Sequence, residues 1–328
     1  MRETAASASP APAEGRPPPS PWLLRRATEA AARAVHRRLG AGEAARHAAA
    51  TAALREVLDR LPLRGRVVAG DEAGRLVGAG ADPPVFDLVL DPLEGITYLG
   101  PGPSNAMAAL ALAPAGRLFD PGPCHYLEKF VAPAAAEGAI EPGMPLVEKL
   151  HRLAERLGGR PQDLTVCVLE KPRHEPLIAE IERLGARTVL CPAGDLAGAV
   201  AAALPGSGID ALAGTGGAVE GLIAACAVRA LGGVFFARPD PLLAGEKARV
   251  REAGLDTGRW YGIEELVAAR ETVFCATGIT SGLLLEGVVR EGDRLRTTTL
   301  MISGTDGERH LLVTSAPDDH RTGEDSGR

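Results

Sequence analysis

Three acids, Asp87, Asp91 and Glu94, close an apolar run in the stretch FDLVLDPLEG, and a Gly/Pro-rich turn follows at once. Residues four apart on a strand share a face, so Asp87 and Asp91 point the same way. Pro92 lacks an N–H and is expected to end the strand ladder, which lets Glu94 fold back beside Asp91. Hard cations such as Mg²⁺ or Mn²⁺ take oxygen ligands at this density, with phosphate oxygens completing the shell. A solvated acidic turn produces the same pattern, and the spacing alone leaves both readings open.

Two further stretches carry groups suited to phosphate chemistry. In AGTGGAVEGLIAA, at 213–225, a strand feeds a Gly-rich turn at the start of a helix, where backbone N–H groups and the helix dipole face an anion. The spacing of Gly214, Gly216 and Gly217 does not complete G-x-G-x-x-G, so it is not a dinucleotide fingerprint. Glu220, in the first helical turn, either complements the dipole or ligates a metal. EKPRHE, at 170–175, gathers Lys171, Arg173 and His174 at a strand end. Three cations there suit a phosphate, and equally a solvated charged loop. His125 and the other histidines read as surface or packing groups, and no G-x-S-x-G nucleophile pattern occurs.

The elements that must position these residues follow from periodicity. Helices are expected over 22–39 and 44–61, then short strands over 65–70 and 86–91. SNAMAALALAP fits a helix or a strand, since Ala and Leu are ambiguous over that length; 125–133 reads as a strand and 145–157 as a helix. From 164 onward strands (164–170, 187–192, 209–217) alternate with helices (175–185, 195–204, 218–233), the pattern of a layered α/β unit. Strands are expected again around ETVFCATG, VVREGDRLRTTTLMIS and ERHLLVTSAP, with a hairpin turn at 291–293.

The 328 residues, 45% of them hydrophobic, are enough for a sizeable core, expected as two packed halves. The four segments expected are a disordered leader (1–21), an N-terminal α+β half carrying the carboxylates (22–160), a C-terminal α/β half carrying the phosphate loops (161–316) and a disordered tail (317–328). With 36 basic against 42 acidic residues and no basic cluster interleaved with aromatics, nucleic acid is not an expected partner. Apolar runs are too short for a membrane span. The five cysteines are widely spaced with no C-x-x-C, which fits buried free thiols in a reducing, cytoplasmic setting.

Taken together, FDLVLDPLEG, SNAMAALALAP, YLEKFVAP, LTVCVLEKPRH, the run from IERLGARTVLCPAGDL to AVRALGG, and FCATGITSGLLLEGV resemble the class II (GlpX-type) fructose-1,6-bisphosphatases, in family order. The resemblance implies a five-layered α-β-α-β-α sugar-phosphatase fold of the fructose-1,6-bisphosphatase/inositol monophosphatase kind. It implies hydrolysis of the C1 phosphate of fructose 1,6-bisphosphate or a related sugar phosphate with Mg²⁺ or Mn²⁺, a role in carbohydrate metabolism, and a homo-oligomer. It places metal carboxylates at Asp91, Glu94 and Glu220. Sugar-phosphate contacts fall at Glu94, Gly95, Tyr126, Lys171, Pro172, Arg173, Gly194, Asp195 and Gly217.

The departures from the family pattern cluster on its catalytic face. A metal-binding Asp falls here on Ala48 or Ala49, and a metal-binding Glu is lost where the chain reads AGDEAG, leaving Asp71 or Glu72 as the substitute acid. The Thr that positions the attacking water is Ile96, with Thr97 one step on. The family's Asp-Gly-Asp is Ala193-Gly194-Asp195, and its Gly-Asp-Leu-Leu is Gly282-Leu283-Leu284-Leu285. Asp71 and Thr97 are therefore the candidates for the catalytic roles. Three functions are compatible with this sequence: a divergent metal-dependent phosphatase, an impaired homologue that binds sugar phosphate as a regulatory or partner subunit, and an enzyme of different chemistry on the same scaffold.

Overall fold

The structure, a computed structural model, describes residues 21–95 and 105–318. The expected leader, apart from Pro21, and the tail from residue 319 lie outside the described residues, as does Thr97. Two helices open the chain, α1 (Pro21–His36) and α2 (Glu43–Leu58), followed by β1 (Gly65–Val67), β2 (Leu76–Val77), β3 (Phe86–Glu94), β4 (Met107–Pro114) and β5 (Tyr126–Ala132). Next come α3 (Leu146–Arg156), β6 (Thr165–Leu169), α4 (Glu175–Arg183), β7 (Arg187–Cys191), α5 (Leu196–Ala203), β8 (Ala211–Gly217), α6 (Ala218–Leu231) and β9 (Val234–Pro239). The chain finishes with α7 (Ala244–Glu252), β10 (Tyr261–Gly262), α8 (Ile263–Leu266), β11 (Val273–Gly278), β12 (Val289–Glu291), β13 (Arg294–Ser303) and β14 (Arg309–Pro317).

The strands form two mixed sheets. The first runs β12-β13-β11-β4-β3-β1-β2 with β14 on β13, and the second β10-β9-β5-β8-β6-β7. The alternating units read from the sequence become the parallel core of the second sheet, β8-β6-β7. The two sheets do not follow a division at residue 160: β5, from before it, lies in the second sheet, and β11 to β14, from after it, complete the first.

Three apolar clusters define five layers. One joins α1 and α2 to the outer face of the first sheet; the second fills the space between the sheets around α5 and α6; the third seals α3 and α4 against the far face of the second sheet. Strand β4 shows why SNAMAALALAP is ambiguous in sequence. Ala108, Leu110 and Leu112 face the helices α1 and α2, while Met107, Ala109 and Ala111 face the middle layer. A strand buried on both faces shows no polar alternation, so its period is invisible. The same reasoning orients the functional strands: Leu88 and Leu90 of β3 point to the outer helices and Val89 to the middle, so Asp87 and Asp91 face inward. On β5, Leu127 and Val131 face the middle and Phe130 the third cluster, so Lys129 points inward and Glu128 outward.

All five cysteines are free and buried, and no described helix is long and apolar enough to cross a membrane. The expected hairpin turn at 291–293 is present, with Glu291 paired to Arg294 and Gly292 at φ 65°.

Candidate active site

Pro92 does not end β3. Pairing with β4 breaks after Asp91 and resumes at Glu94, opposite Met107, across a bulge. A bulge absorbs the missing N–H and re-aims the flanking side chains. The Asp91 Oδ1 accepts the Leu93 N–H at 3.0 Å, which fixes the carboxylate at the bulge. Glu94 is 2% exposed and its Oε1 accepts the N–H of Leu196, the first residue of α5, at 3.1 Å. Its other oxygen, Oε2, is buried without a hydrogen-bond partner. Asp87 shares the face of Asp91, as expected, but is tied elsewhere: its Oδ2 accepts the Gly116 N–H at 2.6 Å.

Asp91 and Glu220 line one hollow of about 490 Å³, together with Ala48 of α2 and Asp71 and Glu72 of the turn after β1. Glu94 sits behind them, and the three carboxylates feel one another. Burial and then the Glu220 charge push Asp91 up to about 8, against the Leu93 N–H. Glu94 is held well above the usual range by burial and by the charges of Asp91, Glu220 and Asp195. Glu220 is raised by burial and by Asp195, with Lys129 opposing. Like charges this close in a low-dielectric site cannot all ionise without a cation.

Among the described residues, Lys129 is the cation that serves the cluster. The Lys129 Nζ is 2.5 Å from the Asp195 Oδ2 and donates to the Gly217 carbonyl at 2.9 Å, its side chain fully enclosed. It thereby joins β5, the loop before α5 and the turn before α6, three of the segments that carry the candidate substrate contacts. Gly194 holds that loop at φ 72°, where a Cβ would collide with the Glu94 carboxylate.

The EKPRHE segment divides. Lys171 donates to the Pro192 carbonyl at 3.2 Å, Arg173 is exposed and donates to the Thr215 carbonyl at 2.7 Å, and its guanidinium lies 5.9 Å from the Tyr126 ring centroid. His174 departs from the expected cation trio. It is 4% exposed, its Nε2 accepts the Thr215 N–H at 2.9 Å, and its Nδ1 therefore donates to the Leu169 carbonyl at 2.8 Å. That tautomer is neutral, and burial lowers its pKa further. His174 is a staple between β6 and β8, and Pro172 opens the short 3₁₀ turn that delivers it. Tyr126, Gly217, Asp71 and Glu220 line a larger hollow of about 850 Å³ that adjoins the first.

The donor set fits a hard divalent cation: carboxylate oxygens only, mutually repelling, with the buried Glu94 Oε2 unpartnered. As the side chains stand, no group of three or more His, Cys, Asp or Glu among the described residues has metal-ligand spacing. Ala48, one of the two positions on which the resemblance puts a carboxylate, lines the hollow with a methyl. Of the two substitute acids, Glu72 is already committed to Arg55 at 2.7 Å and Arg75 at 3.3 Å, leaving Asp71 as the acid at the mouth. Sequence reading missed Lys129 altogether. Its signal was present: in YLEKFVA the period of two set by Leu127 and Val131 turns Lys129 into the core.

From residue 22 to 315 the chain matches the model of a family described as "Bacterial fructose-1,6-bisphosphatase, glpX-encoded". It is 39% identical over 302 residues to the "Fructose-1,6-bisphosphatase class 2" of Haemophilus influenzae, covering 85% of this chain and 90% of that protein. It is 36% identical over 302 residues to the "Fructose-1,6-bisphosphatase 1 class 2" of Escherichia coli, covering 85% and 89% respectively.

Proposed function

The chain belongs to the bacterial, glpX-encoded fructose-1,6-bisphosphatase family, and from that premise we propose that it hydrolyses a sugar phosphate monoester, fructose 1,6-bisphosphate or a close relative. The observation that carries the reading is the buried trio Asp91, Glu94 and Glu220, each raised by burial and by neighbouring acidic charge (Glu220 at Asp91, Asp91 and Glu220 at Glu94, Asp195 at Glu220), while Glu94 Oε2 lacks a partner. In this proposal the trio holds Mg²⁺ or Mn²⁺, which when bound neutralises phosphoryl charge and activates water.

The remaining roles fall to the chain's own groups. Arg173 and Lys171 bind phosphate oxygens, Arg173 turning from the Thr215 carbonyl toward the ligand. The backbone from Gly217 into α6 adds N–H groups and the positive end of a 14-residue helix dipole. Tyr126 flanks the sugar, and the loop at Gly95, Pro172, Gly194 and Asp195 shapes the rest of the pocket. Lys129 holds Asp195 and the Gly217 carbonyl in place, acting as a positioning residue. Asp71, which lines the hollow, accepts the proton of the attacking water as its oxygen bonds to phosphorus, and the sugar oxygen departs with the P–O bond pair and takes up a proton from solvent. A role for Thr97 in orienting that water stays part of the proposal. A binding-only homologue or a different chemistry has no observation of its own in its favour.

The test is phosphate release from fructose 1,6-bisphosphate with Mg²⁺ or Mn²⁺, beside an Asp91→Ala control. Metal-dependent release that the substitution abolishes supports the reading. Saturable sugar-phosphate binding with no release from the unaltered protein would overturn it.

A further inference from the structure

On the far face of the second sheet, away from the carboxylate cluster, a buried cation makes no direct ion pair among the described residues. Lys149 of α3 is 3% exposed. Its ammonium makes no hydrogen bond or ion pair among the described residues and rests instead on three aromatic rings, 4.4 Å from the Trp260 centroid, 5.0 Å from Phe130 and 5.5 Å from Phe236. Aromatic faces attract a cation but do not saturate three N–H donors. Burial accordingly lowers its pKa to about 8, although Glu128 opposes this.

Lys149 lines a cavity of about 340 Å³ together with Glu128, Glu180, Arg238 and Lys129, the last already held by Asp195. Arg238 is already neutralised by Glu128 at 2.6 Å, so Lys149 is the cation left to a ligand. The two carboxylates oppose a second negative charge but accept from hydroxyl groups. We propose that this cavity is a second ligand site, for a small hydroxy- or polyhydroxy-carboxylate whose carboxylate meets the Lys149 ammonium and whose hydroxyls donate to Glu128 and Glu180. The site shares β5 with the active face: Glu128 and Phe130 line or wall the cavity while Lys129, between them, holds Asp195.

Trp260 reports occupancy, since its ring carries the ammonium. In a Trp22→Phe background it is the sole tryptophan. The full-length protein is titrated with glycerate, gluconate, glycerol and inorganic phosphate while Trp260 emission is followed. A saturable change with glycerate or gluconate, absent with glycerol, is expected. Lys149→Met weakens it by about tenfold or more, the loss of one charge-assisted contact, and Arg173→Ala leaves it unchanged. A second measurement needs no variant: the same carboxylate slows acylation of Lys149 by acetic anhydride, read by mass spectrometry. No saturable response to either carboxylate, a response to phosphate alone, an equal response to glycerol, a response undiminished in Lys149→Met, or labelling indifferent to ligand would each overturn the proposal.

Discussion

Replacing Lys129 by Met removes a cation from a nest of acids while keeping the side chain's length. Lys129 is fully enclosed and Asp195, its partner at 2.5 Å, has a side chain only 6% exposed, so solvent does not screen the pair. Breaking such a pair leaves a buried charge uncompensated and costs about 3–5 kcal/mol. For a chain of this size the melting temperature falls by on the order of 10 °C. Here the loss is compounded, because Glu94 and Glu220 are already raised by the charge of Asp195 and Lys129 opposes it at Glu220. The variant's stability is therefore expected to depend on added Mg²⁺ or Mn²⁺. Denaturant unfolding in EDTA measures this as a double-mutant cycle with Asp195→Leu. Each single variant loses several kcal/mol, and the double variant recovers about 2 kcal/mol or more, because no charge is stranded. Single variants that each lose under about 1 kcal/mol, or effects that simply add, refute the view of Lys129 as the cluster's counter-ion.

Three other outcomes are expected. The folded pKa values of Asp91, Glu94 and Glu220 are raised, so the folded state binds more protons, and the stability these groups contribute at low pH is lost as pH climbs above the ordinary carboxylate range, for Asp91 through about 8. Calorimetry in EDTA reads this as a melting temperature falling across that window, flattened by Mn²⁺ or by Asp91→Asn; a flat profile in unaltered, metal-free protein contradicts it. Lys149 shifts the opposite way: its folded pKa is depressed, so Lys149→Met raises the melting temperature at neutral pH, and the gain shrinks as pH rises past about 8 toward the ordinary lysine value. Gly194→Ala forces a side chain into the left-handed region and against the Glu94 carboxylate; it is expected to cost about 1–3 kcal/mol and to lower kcat, with steady-state kinetics and a melting curve as the measurements.

Legibility in the sequence varied with the kind of signal. The alternating units from 164 to 231 are local and well punctuated by Gly, Pro and charge, and their elements stand within a few residues of expectation. Asp91, Glu94 and Glu220 stand out through the family resemblance, since a solvated turn or a helix-dipole partner gives the same local pattern; that Asp91 and Glu220 line one hollow is a tertiary fact. Three features were hidden. Strand β4 is apolar on both faces, so nothing in its period distinguishes it from a helix. Pro92 reads locally as a stop, and only pairing with β4 across the bulge reveals that β3 continues to Glu94. His174 looks like a phosphate cation beside Arg173, yet its two ring nitrogens are spent on backbone groups 5 and 41 residues away, a non-local fact. The segment 234–266, with β9, α7, β10 and α8, gave no expectation, being short elements broken by Pro, Gly and charge.

The weave of the two sheets bears on how the protein is made. Strands β3 and β4 leave the ribosome early, but the open side of β4 is covered only by β11, after the whole second sheet has been synthesised. Until then β4 offers nascent chains an unpaired, wholly apolar margin, the sort of template on which polypeptides stick to one another. Assembly of the candidate hollow is thus deferred almost to chain termination, and messages truncated before codon 273 should yield insoluble product rather than a shorter folded protein.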